Sequence, residues 1–189
     1  MNLKRGIALL LAALLLSAAA PAEEAMMKET KEAMRNNENV IYLAGGCFWG
    51  LEKLMQSIPG VTDAVSGYAN GTGEADANYR TVVGGKTGFR ETVKVTYDPE
   101  RVSLDALLLA YFYVIDPTVE NRQGNDVGSQ YQTGVYYVDD ESKETVERIA
   151  ALERGRRTKF VVEIGPLVNF FPAEEYHQNY LDKNPGGYC

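Results

Sequence analysis

The chain has 189 residues, 45% of them hydrophobic and 24% charged, with a formal net charge of −7. That balance excludes a disordered chain and leaves room for one ordinary domain with a buried core. The acidic surplus excludes nucleic acid as a partner, because neutralising phosphates takes clustered Lys and Arg; one histidine and two cysteines are too few for a tetrahedral structural zinc, so no metal is expected.

Residues 1–22 read as a secretory signal peptide. Lys4 and Arg5 give a positive start, residues 7–19 an apolar run, and Ala20-Pro21-Ala22 a small-x-small cleavage site. The run is short for a membrane span of about 20 residues, although an uncleaved N-terminal anchor is the competing reading. Either way the domain is expected to be exported: periplasmic, extracellular or associated with the cell envelope. Residues 23–38 are charged and read as a linker or helical extension, and the domain proper is expected over 39–189.

Within that domain the pattern opens with a β-rich strand over 40–44. The turn Gly45-Gly46 and a helix over 48–58 follow, with Phe48, Leu51, Leu54, Met55 and Ile58 at helical spacing until Pro59-Gly60. A strand over 61–68 leads into a Gly- and Asn-rich loop over 69–87, and a strand of clear period two covers 91–97. Ser103 is the expected N-cap of a helix over 104–115 that Asp116-Pro117 ends. A polar loop over 118–130 precedes a strand over 132–138. Asp139 or Asp140 starts a charged helix closed by Gly155; a last strand over 159–164 and a final helix over 173–181 complete the chain. This alternation predicts an α+β fold, a two-layer ferredoxin-like sandwich in which helices cover a mixed β-sheet. The two long loops are where function is expected.

Cys47 is the candidate nucleophile. A thiol at the start of a helix meets unpaired backbone N–H groups and the positive end of the helix dipole, which favour the thiolate and lower its pKa from about 8.5. A small buried hydrophobe is the competing reading. Glu91 shares a strand face with Val93, Val95 and Tyr97, the face expected to be buried. There a carboxyl favours its neutral form and can donate a proton, unless the strand frays and Glu91 reaches solvent. Trp49 lies opposite the apolar stripe of its helix, so with Phe48 it either walls a pocket or packs beneath a loop. Tyr79 and Tyr131 stand at loop-to-strand junctions from which phenols can point into a cleft, and Asp126 lies in the second loop. Cys189 follows the flexible run Asn184-Pro185-Gly186-Gly187-Tyr188, so a disulfide to Cys47 is either a static staple or a mobile pair. Gly84-Gly85-Lys86-Thr87 is a turn and not a phosphate loop, because Arg80 occupies the position of the required first glycine. Asn70-Gly71-Thr72 fits a glycosylation acceptor only weakly.

Four blocks in order resemble the peptide methionine sulfoxide reductases of the S-epimer-specific class. They are Gly46-Cys47-Phe48-Trp49-Gly50, the loop from Asn121 through Gln123-Gly124-Asn125-Asp126 to Gln130-Tyr131, Phe171-Pro172-Ala173-Glu174-Glu175-Tyr176-His177-Gln178, and Lys183-Asn184-Pro185-Gly186-Gly187-Tyr188-Cys189. The resemblance implies that Cys47 attacks the sulfoxide sulfur of protein-bound or free methionine sulfoxide. Glu91 would supply the proton, Tyr79 and Tyr131 hydrogen-bond the oxygen, Phe48 and Trp49 hold the methyl group, and Asp126 help order the site. It also implies that Cys189 resolves the Cys47 sulfenic acid as a disulfide, which an external thioredoxin-like dithiol then reduces. No bound cofactor is implied, and a monomer is expected. Many relatives read Gly-His-Ala-Glu where this chain has Gly88-Phe89-Arg90-Glu91, and some carry a second recycling cysteine; here a one-step relay through Cys189 is implied. Two other readings compete. One is a secreted cysteine hydrolase built on Cys47 and His177, in which loss of His177 would abolish activity; the reductase reading expects only a modest loss. The other is a binding module with a permanent Cys47–Cys189 staple.

Overall fold

The computed structural model describes residues 39–188; the expected leader, the 23–38 extension and Cys189 lie outside the described residues. Strand β1 (Asn39–Ala44) runs into the glycine turn and helix α1 (Phe48–Gln56). Strand β2 (Val61–Ala69), a one-turn helix α2 (Tyr79–Val82) and strand β3 (Arg90–Tyr97) follow. Helix α3 (Leu104–Val114) leads to a two-strand hairpin, β4 (Arg122–Gln123) and β5 (Asp126–Val127). Strand β6 (Gly134–Tyr137), helix α4 (Asp140–Gly155), strands β7 (Glu163–Pro166) and β8 (Phe170–Pro172), and the one-turn helix α5 (Tyr180–Lys183) complete the domain. No helix among the described residues is long and apolar enough to cross a membrane.

The six-stranded sheet has the order β7-β6-β1-β3-β2-β8. In its four central strands, β6-β1-β3-β2, each neighbouring pair is antiparallel, with β3 threaded between the parallel β1 and β2, the split βαβ arrangement of a ferredoxin-like sandwich. β7 adds parallel to β6 at one edge and β8 antiparallel to β2 at the other, which makes the sheet mixed. One face carries the main core. Ile41, Leu43, Val93, Val95 and Val135 project from it onto Phe48, Leu51 and Met55 of α1, Leu107 and Leu108 of α3, and Val146 and Ile149 of α4. The opposite face holds a smaller cluster of Tyr42, Ala44, Ala69 and Tyr136 under Phe170 and Leu167.

The local signals for α3 and α4 act as expected. The Ser103 side chain accepts from the Ala106 N–H, and Asp139 forms a capping box with Ser142, each such cap worth about 1 kcal/mol. Four expectations are corrected. The loop over 69–87 contains α2, whose N-cap is Asn78, so Tyr79 opens a helix instead of standing at a strand junction. The loop over 118–130 folds into the β4–β5 hairpin. Residues 159–162 do not join the sheet; the Val161 N–H bonds the Pro117 carbonyl, Phe160 packs on Phe112, and pairing with β6 starts at Glu163. The expected helix over 173–181 is a 3-10 turn, Glu175–His177, followed by α5, with Asn179 in the left-handed region between them at φ 53°.

Candidate active site

Gly46 sets the position of Cys47, the candidate nucleophile. Its φ of +84° suits glycine, and a Cβ there would stand 2.5 Å from Cβ of Gln123. The Gln123 side chain in turn holds Asp116 through both its N–H and its carbonyl, so the second loop is pressed against the turn that carries the thiol. Tyr111, fully buried, donates to the Ala44 and Gly134 carbonyls and pins together the strand ends beneath. On this mount Cys47 is the N-cap residue of α1, half-buried, and its sulfur does not cap the helix.

Glu91 faces the helices, as its period-two register requires, and is 2% exposed. Its Oε2 accepts the Phe48 N–H at 3.1 Å, so the carboxyl touches the residue immediately after Cys47. One of the otherwise orphaned N–H groups at the start of α1 is thereby satisfied by a side chain from β3. Fraying of Glu91 into solvent is excluded. Phe89, one residue before the β3 strand, is also buried, edge-on to Phe171, while Arg90 forms an ion pair with Glu163 at 2.8 Å. Position 89 is thus filled by an aromatic core contact.

Tyr79 and Tyr131 belong to the same neighbourhood. Both pKa values are raised, chiefly by burial, so both phenols keep their protons at neutral pH. Tyr131 ends a 3-10 turn, Ser129–Tyr131, that contacts β3, and the Ser129 hydroxyl bonds the Gly85 carbonyl, joining the two long loops over the site. Asp126 starts β5 and accepts from the Tyr188 hydroxyl at 3.3 Å. Tyr188 and Asp126 help line a cavity of about 400 Å³ that also takes in Cys47, Leu54, Val114 and Gln123. The residue before Cys189 therefore lines the same cavity as Cys47; Cys189 itself lies outside the described residues.

Phe48 is 1% exposed and forms a floor, whereas Trp49 is half-buried. The indole stacks on Tyr180 at 3.7 Å between centroids and donates to Nδ1 of His177 at 3.1 Å. His177 is the hub of the aromatic group, with Phe48, Trp49, Tyr79 and Tyr176 all in ring contact. Burial lowers its pKa below 6.5 against an opposing pull from Glu174, so it is neutral, and accepting at Nδ1 puts its proton on Nε2. That Nε2 is buried without a hydrogen-bond partner. Neither ring nitrogen is paired with the Cys47 sulfur, which removes the base that a hydrolase would need.

The C-terminal block supplies parts that the residue-level reading left without roles. Glu174 accepts from the Tyr79 N–H and the Tyr68 hydroxyl, each at 2.9 Å. Gln178 bonds both backbone groups of Ser66. Glu52, 1% exposed on the core side of α1, accepts the Asn179 N–H, and burial raises its pKa. A charged residue inside an apolar helical stripe was the available signal for Glu52. Among the described residues no group of three or more His, Cys, Asp or Glu is arranged to hold a metal.

The profile of the peptide methionine sulfoxide reductase family matches residues 39–189. Among solved structures, the chain is 37% identical to Mxr1 from Saccharomyces cerevisiae in reduced form, over 82% of this chain and 90% of that one, with a TM-score of 0.77. It is also 37% identical to methionine sulfoxide reductase A of Corynebacterium diphtheriae, over 81% and 78%, with a TM-score of 0.72. The yeast protein in complex with Trx2 is similar at 26% identity, over 77% and 86%, with a TM-score of 0.55.

Proposed function

The chain belongs to the peptide methionine sulfoxide reductase family, in its S-epimer-specific class, and from that premise we propose that Cys47, Glu91, Tyr79 and Tyr131 carry out the reduction of methionine-S-sulfoxide to methionine. The hydrogen bond from the Phe48 N–H to Glu91 Oε2 carries this assignment, because it fixes an acid against the residue following the nucleophile. The start of α1 favours the Cys47 thiolate. Near-complete burial opposes the Glu91 anion, and with Oε2 accepting from Phe48 the transferable proton sits on Oε1.

As the thiolate attacks sulfur, Glu91 protonates the sulfoxide oxygen while the two phenols donate hydrogen bonds to it, since that oxygen leaves poorly until neutralised. The attack joins the two sulfurs; that bond then breaks as the protonated oxygen passes from the substrate sulfur to Cys47, so the sulfoxide is reduced by two electrons and leaves as methionine while Cys47 is oxidised by two and holds the oxygen as a sulfenic acid. Trp49, over the buried Phe48 floor, offers the apolar surface for the methyl group, with the indole held by His177 and Tyr180. The Cys189 thiol then condenses with the sulfenic acid, water leaves, and a Cys47–Cys189 disulfide forms. Asp126, bonded to Tyr188, orders the tail for that step. A thioredoxin-like dithiol returns both cysteines to thiols, as the yeast relative's complex with Trx2 supports. The electrons come from that partner, so the reaction calls for no resident cofactor. The leader directs it to an exported compartment, where oxidised proteins and free methionine sulfoxide are its substrates.

Reduced protein incubated with each sulfoxide epimer and dithiothreitol tests the reading. The S epimer is converted and the R epimer is not; conversion of R, or of neither, overturns it.

A further inference from the structure

We infer that Glu174 is a positioning residue for the reaction, setting the Tyr79 phenol against the sulfoxide oxygen from the cap of the 3-10 turn after β8, 95 residues further along the chain. The inference rests on the donor role proposed for Tyr79. Helix α2 is a single turn, and a helix that short does not hold its own first residue in place. Its cap, Asn78, takes the Thr81 N–H and leaves the Tyr79 N–H, one of the unsatisfied donors of a helix start, to another acceptor. Glu174 Oε1 is that acceptor at 2.9 Å.

The other carboxylate oxygen reaches the scaffold. Oε2 accepts from the Tyr68 hydroxyl at 2.9 Å; Tyr68 is fully buried and lies directly across from Glu91 in the β2–β3 register. One side chain therefore ties the segment carrying the phenol to the strand paired with the acid. Burial pulls the Glu174 pKa up, but the hydrogen bonds from the Tyr79 N–H and the Tyr68 hydroxyl outweigh it, and the group is an anion. Its two bonds are accordingly of the charge-assisted kind. Above it, the Tyr79 ring rests on His177 at 4.5 Å, which fixes the ring's tilt while Glu174 fixes its root.

Removing the carboxylate releases α2, and a displacement of about 1 Å at a reacting group can cost on the order of 100-fold in rate. The test is methionine formed in a single turnover by reduced protein at saturating methionine-S-sulfoxide, with no recycling reductant. Glu174→Ala is expected to slow this step about 10- to 100-fold. Glu174→Gln, whose carbonyl can accept from Tyr79 while its amide donates to the Tyr68 oxygen, should recover to within about threefold of the parent. In a Tyr79→Phe background Glu174→Ala should cause no further loss, whereas with Tyr131→Phe the two losses should multiply. Should Glu174→Ala fail to fold, Glu174→Asp, which keeps the charge but withdraws the oxygens, enters the same cycle with the same expected pattern. A slow Tyr79→Phe variant that the Glu174 change slows again by its full factor overturns the inference alone. A Tyr79→Phe variant at parental rate removes the phenol role beneath it.

Discussion

Replacing His177 separates a chemical role from a packing role. The imidazole accepts the Trp49 indole N–H and contacts four rings at 1% exposure. His177→Ala strands the indole N–H, at about 1–3 kcal/mol, and opens a ring-sized space; aromatic truncations of this kind cost about 3–5 kcal/mol in all, a large part of a typical total of about 5–15 kcal/mol. Activity should fall with it, as Phe48, Trp49 and Tyr79 lose their common neighbour, so the modest loss expected from sequence is revised upward. His177→Gln keeps an acceptor for the indole and discards the base. Denaturant unfolding should give a cost below about 2 kcal/mol for Gln, and single-turnover methionine formation should stay within about tenfold of the parent, against a larger loss for Ala. The pKa of the folded imidazole lies below 6.5, so its contribution to stability is complete above 6.5 and declines as pH falls through that value toward the folded one. The stability gap between parent and His177→Gln should therefore shrink on acidification. Equal, severe loss of turnover in both variants with parental stability would refute the reasoning and restore a catalytic imidazole.

Further outcomes follow from the site. Gly46→Ala meets both a left-handed backbone and Gln123 Cβ at 2.5 Å; it should cost about 1–2 kcal/mol for the backbone alone and slow alkylation of Cys47 by iodoacetamide. Tyr131→Phe removes one donor to the developing oxygen charge and should lower the single-turnover rate about 100-fold, with unfolding midpoints showing the fold intact. Cys189→Ser should keep one turnover at the parental rate and stall under thioredoxin recycling; equal steady-state rates for variant and parent would contradict its resolving role.

What could be read from the chain was what local pattern encodes. The strand, glycine turn and helix around Cys47 follow from short-range periodicity, and the buried aspect of Glu91 follows from alternation along seven residues of β3. Tyr79 was identified while its setting was not, because a one-turn helix capped by Asn78 leaves no periodic signal. Strand β8 was missed for a related reason: Pro172 argues against a strand, yet at the sheet edge its missing N–H is tolerated. Apolar residues 160–162 read as part of a strand, but Phe160 packs on Phe112 of α3 and the Val161 N–H bonds the Pro117 carbonyl instead of a sheet partner. The links from Glu174 to Tyr79 and from His177 to Trp49 span 95 and 128 residues, and no spacing rule reaches so far.

The most direct trial is Glu91→Gln, assayed for methionine formed per Cys47 in one turnover while iodoacetamide reports on the thiol. A side chain of nearly the same shape that carries no acid should slow the reaction by about 100- to 10,000-fold and leave alkylation largely unchanged. Turnover at the parental rate would mean that the proton comes from elsewhere, and the pairing of Cys47 with Glu91 would not be the working site.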